Sequence, residues 1–266
     1  MRKMRTSMKI GAALVAAHSL FAYDEWSVPN LTAPTVINAP AIEVQFQHQF
    51  LGRIDGKDAV GRFFGIGDGA DGHLALHAVI WSAAQVSVSY DNLQVFSHSR
   101  NEFAADAAYA VPAPLLRLRT QIDVQYFSYA SSLTFPEKRH NNFFAQLSLQ
   151  NDPLFDRVVM IANGGYDFDK NRYGLGIGLD VKVFDAFDVF GTCFPRVDGW
   201  HDTVLGAPAG TKPEVPFSAG VKITTAGHQF FLTLGNASEI GQRHLMQGTL
   251  DNTLKLGFLI KRLFSF

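Results

Sequence analysis

The feature that most constrains this chain is an alternation of apolar and polar residues that recurs from residue 41 to the C-terminus. In its first instance, the even positions from 42 to 50 carry Ile, Val, Phe, His and Phe, while the positions between them carry Glu and three Gln. A period of two is that of a β-strand, whose successive side chains point to opposite faces. The chain is therefore expected to fold mainly into strands.

Repetition of this pattern predicts about twelve strands, and the connections between them alternate in length. Connections such as 52–70 and 197–214 are long and polar or glycine-rich, whereas 82–83 and 112–114 are short. Transmembrane barrels have tight turns on the periplasmic side and long loops on the outer side, so this alternation favours a barrel. The predicted strands are 41–51, 71–81, 84–96, 102–111, 115–128, 141–151, 157–165, 172–183, 187–196, 215–224, 228–236 and 250–264.

Composition favours a barrel whose interior is polar and whose exterior faces lipid. Charged residues make up 18% of the chain and the mean hydropathy is +0.04. The polar strand faces thus carry too few charges for a surface that faces water. Closure also leaves no unpaired sheet edge in the hydrocarbon. We expect an all-β fold, a transmembrane antiparallel up-and-down β-barrel over residues 41–266, with both ends periplasmic because the strand number is even.

The two ends of the chain predict export and assembly. Four basic residues lie among the first nine, and the apolar run 10–22 is too short to span a bilayer, which predicts a signal peptide over 1–22. Residues 23–40 are expected to be an extended periplasmic leader. The terminal Phe266 is similar to the final aromatic residue that the assembly machinery of the bacterial outer membrane reads. The predicted location is that membrane, with its lipid and this machinery as partners.

One stretch of the sequence resembles a known family. PTVINAPAIE at 34–43, followed by QHQF at 47–50, is similar to an uncharacterised family of bacterial envelope β-barrel proteins, a domain of unknown function. Similar sequence also stands at 217–222, 227–228 and 256–258. Gln49 departs from the family's pattern, which has Arg there. The resemblance implies an outer-membrane barrel over most of 34–266 and supplies no ligand or reaction.

Motifs for cofactors and metals are weak. Gly67–Gly72 reads G-x-G-x-x-G, but a strand follows it, whereas a dinucleotide site needs a helix N-terminus there. His73 and His77 share a strand face and lie about 13 Å apart, too far to share one metal ion. The single Cys193 excludes an internal disulfide and a multi-cysteine zinc site. We expect no cofactor and no metal.

One segment invites comparison with outer-membrane phospholipase, a barrel enzyme with an H-x-S-N-G pattern. Here His98, Ser99, Arg100 and Asn101 follow one another, so His and Ser are adjacent. Adjacent strand residues point to opposite faces, and the histidine therefore cannot easily deprotonate the serine. We predict no catalytic residue and no enzyme activity, and keep a barrel-embedded lipid hydrolase as a third hypothesis.

Strand parity predicts which charged residues line the lumen. Arg117 and Arg119 share a face with Gln121, and placing them in lipid would cost about 2–4 kcal/mol each, so both are expected to point inward. In a wet lumen they would favour anions, and in a plugged one they would pair with Asp123 or Asp106. The full predicted set is Glu43, His73, His77, Asp106, Arg117, Arg119, Asp123, Asp180, Lys182, Asp188, Lys222 and Lys255.

Two functional hypotheses remain open beside the hydrolase. Mixed charges could line a pore that passes small polar solutes, which makes the protein a passive channel. They could instead pair across a narrow lumen and close it, leaving a structural barrel whose long loops bind a partner. The net charge of -1 argues against nucleic acid as a partner.

Overall fold

The structure is a computed structural model that describes only part of the chain. The described residues are 26–34, 40–54, 69–81, 83–95, 98–113, 118–131, 138–197, 212–237, 239–250 and 252–266. The predicted signal peptide, 1–22, and the Gly67–Asp68 start of the glycine motif lie outside them.

The described residues form a closed barrel of twelve antiparallel strands, in which each strand pairs with its sequence neighbours and the last pairs with the first. At that seam Ala41 faces Ser265 and Gln49 faces Gly257. The predicted all-β, up-and-down barrel is therefore confirmed. The elements are β1 (Ala41–Phe50), β2 (Ala70–Trp81), β3 (Ala84–Val95), β4 (His98–Ala113), β5 (Leu118–Ser131), β6 (Lys138–Asn151), β7 (Val158–Asp167), β8 (Arg172–Phe184), β9 (Phe187–Cys193), β10 (Phe217–Thr225), β11 (His228–Gly235), the helix α1 (Gln242–Leu245) and β12 (Lys255–Ser265).

Two strand predictions need correction. The alanine-rich segment predicted as 102–111 is longer than expected, because β4 runs over 16 residues and includes the His98-Ser99-Arg100 segment. The last strand begins at Lys255 rather than at 250, since the chain before it turns into the barrel and forms α1. The rest agree with the prediction to within a few residues.

The barrel is apolar outside and polar inside. Among outward side chains, Leu76 is 44% exposed, Val88 54% and Ile122 50%. Among inward ones, Gln121 is 2% exposed and Asn163 0%. Such an exterior suits hydrocarbon, and a closed barrel satisfies its backbone hydrogen bonds internally. Among the described residues there is no helix with the length and apolarity to cross a membrane.

Outward aromatic residues concentrate towards the two ends of the barrel. We call the end with the β2–β3, β4–β5, β6–β7, β8–β9 and β10–β11 connections the short-turn end, and the opposite one the long-loop end. Tyr90 packs on Phe103 with ring centroids 4.9 Å apart near the long-loop end. Trp81 and Phe184 are both 69% exposed at the short-turn end. Aromatic girdles of this kind mark the membrane interfaces of transmembrane barrels. The sequence analysis did not identify them.

Two segments outside the wall lie inside the barrel. The first is 26–34, here called the N-terminal segment. The second, the α1 loop, consists of the described residues 236–237, 239–250 and 252–254 between β11 and β12. Apolar residues of both belong to one buried cluster inside the wall, with Val28 and Leu31 from the first and Met246 from the second. The prediction of an extended periplasmic leader did not anticipate that the N-terminal segment would pack in the lumen.

Candidate functional site

The inward face of β8 is built of glycine, and the inserted chains lie directly against it. A Cβ at Gly176 would stand 2.6 Å from a methyl of Leu31, and one at Gly178 would stand 2.6 Å from the other methyl of that leucine. At Gly174 the added atom would overlap the side chain of Met246. These three glycines, the glycine face, therefore leave room that the inserted segments occupy.

The N-terminal segment is tied to several strands by hydrogen bonds. Ser27 Oγ donates to Gln229 Oε1 at 2.9 Å, on β11. Thr32 and Asn163 of β7 exchange two bonds, since the Thr32 amide donates to the Asn163 side chain at 3.0 Å and the Asn163 amide donates back to the Thr32 carbonyl at 2.8 Å. Asn30 turns the chain with a φ of 63°. The segment is thus fixed to two separate strands of the wall, β7 and β11.

The α1 loop is held by a buried ionic network at the level of the long-loop end. Arg243, only 4% exposed, contacts Glu102 at 2.5 Å and Asp167 at 3.3 Å. Its guanidinium lies 3.6 Å from the centre of the Phe127 ring, and His244 Nε2 lies 3.3 Å from Glu102. The two carboxylates accept from both terminal nitrogens of the guanidinium, whereas its Nε has no hydrogen-bond partner among the described residues.

The two inserted segments meet in the middle of the lumen. The backbone amide of Gly241, at the start of α1, donates to the Asn30 side chain at 3.2 Å. The same Asn30 oxygen accepts from Gln47 Nε2 of β1 at 3.0 Å. Together the segments obstruct the part of the lumen that faces β6 to β11.

A second buried ionic cluster lies towards the short-turn end. Lys222 binds Asp180, and its Nζ lies 2.6 Å from Asp188. The ring of Trp26, in the N-terminal segment, lies 5.5 Å from that ammonium and 5.1 Å from the ammonium of Lys182. Cations above an indole face are attracted to its π-system. Four residues of the predicted lumen set thus come together under the N-terminal segment.

The opposite part of the lumen, along β1 to β6, keeps a cavity of about 190 Å³. Strand register arranges its wall in rows. The lower polar row, nearer the short turns, consists of Glu43, His77, Ser87 and Asp106, which pair in sequence across β1 to β4. The upper polar row consists of Gln47, His73, Asp91 and Glu102. Between the rows lie Ala75, Ser89 and Ala104, whose small side chains leave the space open.

The upper polar row is satisfied by partners within the protein. His73 Nδ1 lies 2.6 Å from Asp91 Oδ1, Glu102 binds Arg243, and Gln47 binds Asn30. The α1 loop and the N-terminal segment provide two of these contacts. The row therefore forms the closed side of the cavity.

The lower polar row is less completely paired. Glu43 Oε1 lies 3.9 Å from the Lys261 ammonium. Glu43 Oε2, His77 Nε2 and the neighbouring Asp123 Oδ1 are buried without a hydrogen-bond partner among the described residues. The other Asp123 oxygen accepts from Gln146 at 3.1 Å. Unpaired buried polar atoms cost free energy, and each therefore marks a place where a bound molecule could supply the missing bond.

Eleven of the twelve predicted lumen residues are described by the structure, and they lie in four places. The cavity is lined by Glu43, His73, His77, Asp106 and Asp123, and the second cluster holds Asp180, Lys182, Asp188 and Lys222. Lys255 donates to the Asn236 carbonyl at 3.1 Å, near the long-loop end. Arg119 lies at the short-turn rim, 3.9 Å from Asp152. Arg117 lies outside the described residues.

Several important residues were absent from the predicted set. Arg243 lies in a loop, where period-two parity says nothing about direction. Asp91 and Lys261 lie on strands and share the parity of inward neighbours, so the same rule would have found them. Phe266, the predicted assembly signal, is 79% exposed, and its amide donates to the Pro40 carbonyl at 3.2 Å.

One titratable group outside the strands has a shifted pKa. Partial burial alone would raise the pKa of Asp169, but bonding to Lys170, 2.9 Å away, and to the Tyr129 hydroxyl holds that pKa below its ordinary value. The group lies in the β7–β8 connection. Among the described residues, no group of three His, Cys, Asp or Glu side chains is placed to hold a metal ion.

Comparisons with known proteins concern the fold. A family model described as "Membrane bound beta barrel domain" matches residues 117–264. No curated protein matches the chain. The solved KdgM porin is similar at a TM-score of 0.51 and 11% identity, over 85% of this chain and 99% of the porin. Omp33 of Acinetobacter baumannii is similar at a TM-score of 0.48 and 11% identity, over 85% of this chain and 98% of Omp33. Outer membrane phospholipase A from Escherichia coli is similar at a TM-score of 0.45 and 8% identity, over 86% of this chain and 98% of the phospholipase.

Proposed function

This chain belongs to the family of membrane bound β-barrel domains, and on that premise we propose that it is a passive channel for small polar solutes, closed in the state described above. The proposed route follows the cavity along β1 to β5. The N-terminal segment lies on the glycine face and remains there. It therefore restricts the route to the side of the lumen along β1 to β5.

The observation that carries the proposal is the extent of the cavity. Its lining begins with Val79 and Gln85, close to the short turns, and continues to Glu102 near the long-loop end. Lining side chains of both signs order water and admit polar solutes, as in other water-filled pores. Of the elements described, the α1 loop is the one that covers this route on the long-loop side.

The α1 loop is therefore the proposed gate. Its closed position depends on Arg243 between Glu102 and Asp167, and on the amide of Gly241 bound to Asn30. Release of these contacts would turn the loop outward without changing any strand pairing. Conduction is then limited by how often the loop leaves the lumen, which makes the wild-type channel mostly closed.

Planar-bilayer recording of purified protein tests this proposal. A variant with residues 239–250 replaced by a Gly-Ser linker, together with E102Q and D167N to remove the stranded carboxylates, should give a steady current. Wild type should give brief, infrequent openings. Replacing the exposed turn 153–156 by a short linker leaves α1 in place and should keep the wild-type behaviour.

Folding of each variant is checked by its faster gel migration before boiling. A folded α1-deleted barrel that never conducts would reject the channel. The result would favour the second hypothesis, a closed structural barrel whose long loops bind a partner, which is supported by the fit of the inserted segments to the glycine face.

The proposal includes no chemical step. His98 and Ser99 are consecutive residues of β4, and we propose no catalytic role for them. We also propose residence in the outer membrane, with lipid on the apolar exterior and assembly through the last strand and Phe266. Removal of Phe266 should lower the yield of assembled barrel in membrane fractions, while Phe264→Leu, two positions earlier, serves as the control.

A further inference from the structure

The cavity contains more negative than positive charge. Five carboxylates line it, from Glu43, Asp91, Glu102, Asp106 and Asp123. Asp91 is bound to His73, and Glu102 is neutralised by Arg243. The remaining three carboxylates face a single lysine ammonium, that of Lys261. An excess of negative charge inside a low-dielectric barrel is unfavourable, and either a bound cation or protonation of a carboxylate relieves it.

Buried atoms without partners point into the same space. Glu43, 5% exposed, has one carboxylate oxygen without a hydrogen-bond partner among the described residues, and so has Asp123. Gln242 of α1 is 9% exposed, and neither atom of its amide has a described partner. His77 accepts from Gln85 at Nδ1, 3.1 Å away, which leaves an Nε2 proton directed at no described acceptor. A bound ligand would therefore supply partners for both the unpaired donors and the unpaired acceptors.

The carboxylates are grouped at two positions along the wall. Asp106 and Asp123 lie on the adjacent strands β4 and β5, in diagonal register, because Asp106 faces Gln125 and Asp123 faces Ala108. Glu43 and His77 face each other on β1 and β2. The two positions are roughly 10 Å or more apart along the wall at about 4.8 Å for each strand. That separation exceeds the reach of a bare metal ion and suits a short molecule with two polar ends.

We propose that this cavity binds a small solute with an ammonium group at one end and a hydroxyl or second polar group at the other. The ammonium lies between the carboxylates of Asp106 and Asp123. The other end bonds to the free oxygen of Glu43 and the ring proton of His77. This inference names the solute class of the proposed channel, but the binding itself does not require that the channel conduct.

Isothermal titration calorimetry of the full-length protein in detergent tests the site. The probe is 4-amino-1-butanol, and the matched control ligand is 1,4-butanediol, which has nearly the same size and no charge. The amine should bind saturably with one molecule per barrel. The diol should bind at least about tenfold more weakly, since it forms no charge-assisted bond.

Variants locate the site. Asp106→Asn and Asp123→Asn keep the shape of each side chain and remove its charge, so each should weaken amine binding about tenfold or more. Asp152→Asn makes the same change at the short-turn rim, where the side chain is 58% exposed. It should leave binding unchanged. All variants are compared only after the gel shift confirms a folded barrel.

Three results would overturn the inference: no saturable binding of the amine to wild type, equal affinity for the amine and the diol, or equal binding by wild type and both cavity variants. These failures are distinct from failure of the channel. Binding without conductance by the α1-deleted variant would keep the site and reject the channel, whereas conductance without binding would do the reverse.

Discussion

The two sides of the lumen differ in what occupies the space next to the wall. Along β8 the wall is glycine, and chain from both ends of the sequence fills the space down to the backbone. Along β1 to β4 the wall carries acids and histidines, and the space between them is a cavity. One barrel thus has a filled side and an open side, which are separated by the N-terminal segment and the α1 loop.

The difference shows what determines whether a barrel interior is closed. On the filled side, apolar side chains of the inserted segments occupy the space next to the glycines, and burial of their apolar surface is favourable. These side chains are those of Val28, Leu31 and Met246. On the open side an apolar insertion would desolvate the carboxylates of Asp106 and Asp123 without supplying a counter-ion, which costs more free energy than the insertion gains. Chain fills the lumen where the wall side chains are small or pair their charges with one another, as Lys222 does with Asp180 and Asp188, and a polar space remains where charged side chains lack such partners among the described residues.

The largest effect is expected where Arg243 joins the α1 loop to both sides of the lumen, at Glu102 of β4 and Asp167 of β7. Arg243→Met leaves Glu102 and Asp167 buried without their counter-ion and should lower the free energy of unfolding by about 3–5 kcal/mol. Urea-induced unfolding in lipid vesicles measures the change. Lys170→Met removes the ion pair with Asp169 in an exposed connection and should cost at most about 1 kcal/mol. Equal effects of the two substitutions would contradict the buried role assigned to Arg243.

A smaller effect is expected from filling the glycine face. Gly178→Val places atoms where Leu31 and Val28 lie and should destabilise the barrel by about 1–3 kcal/mol. Fluorescence of Trp26, in a background with the other two tryptophans replaced by Phe, should report displacement of the N-terminal segment. Gly164→Val is the control, since a Cβ there has no atom within 4 Å.

The double variant G178V/L31A sharpens this test. Truncating Leu31 makes room for the new valine, so the two substitutions together should cost less than the sum of their separate costs. Strict additivity would mean that contact with Leu31 is not the reason for a glycine at position 178. It would contradict the explanation given above for the filled side of the lumen.

The smallest effect is expected at Asp169, outside both the cavity and the inserted segments. Its lowered pKa means that the folded state prefers the carboxylate, so the stability it contributes is present at neutral pH and is lost as the pH falls through the folded pKa. Because the group is partly exposed, the contribution should stay below about 1 kcal/mol. Wild type and Asp169→Asn should differ at pH 7 and converge in acid, and a constant difference would contradict the assignment.

The sequence specified the wall of the barrel well because the wall is periodic. Alternation placed all twelve strands, and the glycines of β8 share the parity of Asp180, which the same alternation predicts to line the lumen. Parity could not indicate what packs against them, since Leu31 is more than a hundred residues away and lies in no periodic element. Arg243 was missed for the same reason.

Strand parity predicts whether a side chain points into or out of the barrel, but it does not predict how far along the barrel axis the side chain lies. Arg119 shares the inward parity of Asp123, and the sequence analysis expected it to control ion selectivity. It is the second residue of β5, however, and lies at the rim beside Asp152. Asp123 is four residues further along the same face and lines the cavity. The anion preference expected of the arginines in a wet lumen stays a prediction, while the carboxylates of the cavity support the proposed binding of a cationic solute.

The contacts between the inserted segments also constrain the order of events in assembly. Ser27 bonds to Gln229 across 202 positions of sequence, and Asn30 bonds to Gly241 across 211. Contacts of such separation require closure of very long loops and form late. The glycine face of β8, near the middle of the chain, must consequently wait for both ends. Pairing of β1 with β12 joins the same two parts of the sequence, so closure of the barrel and filling of its lumen depend on one and the same meeting of the chain ends.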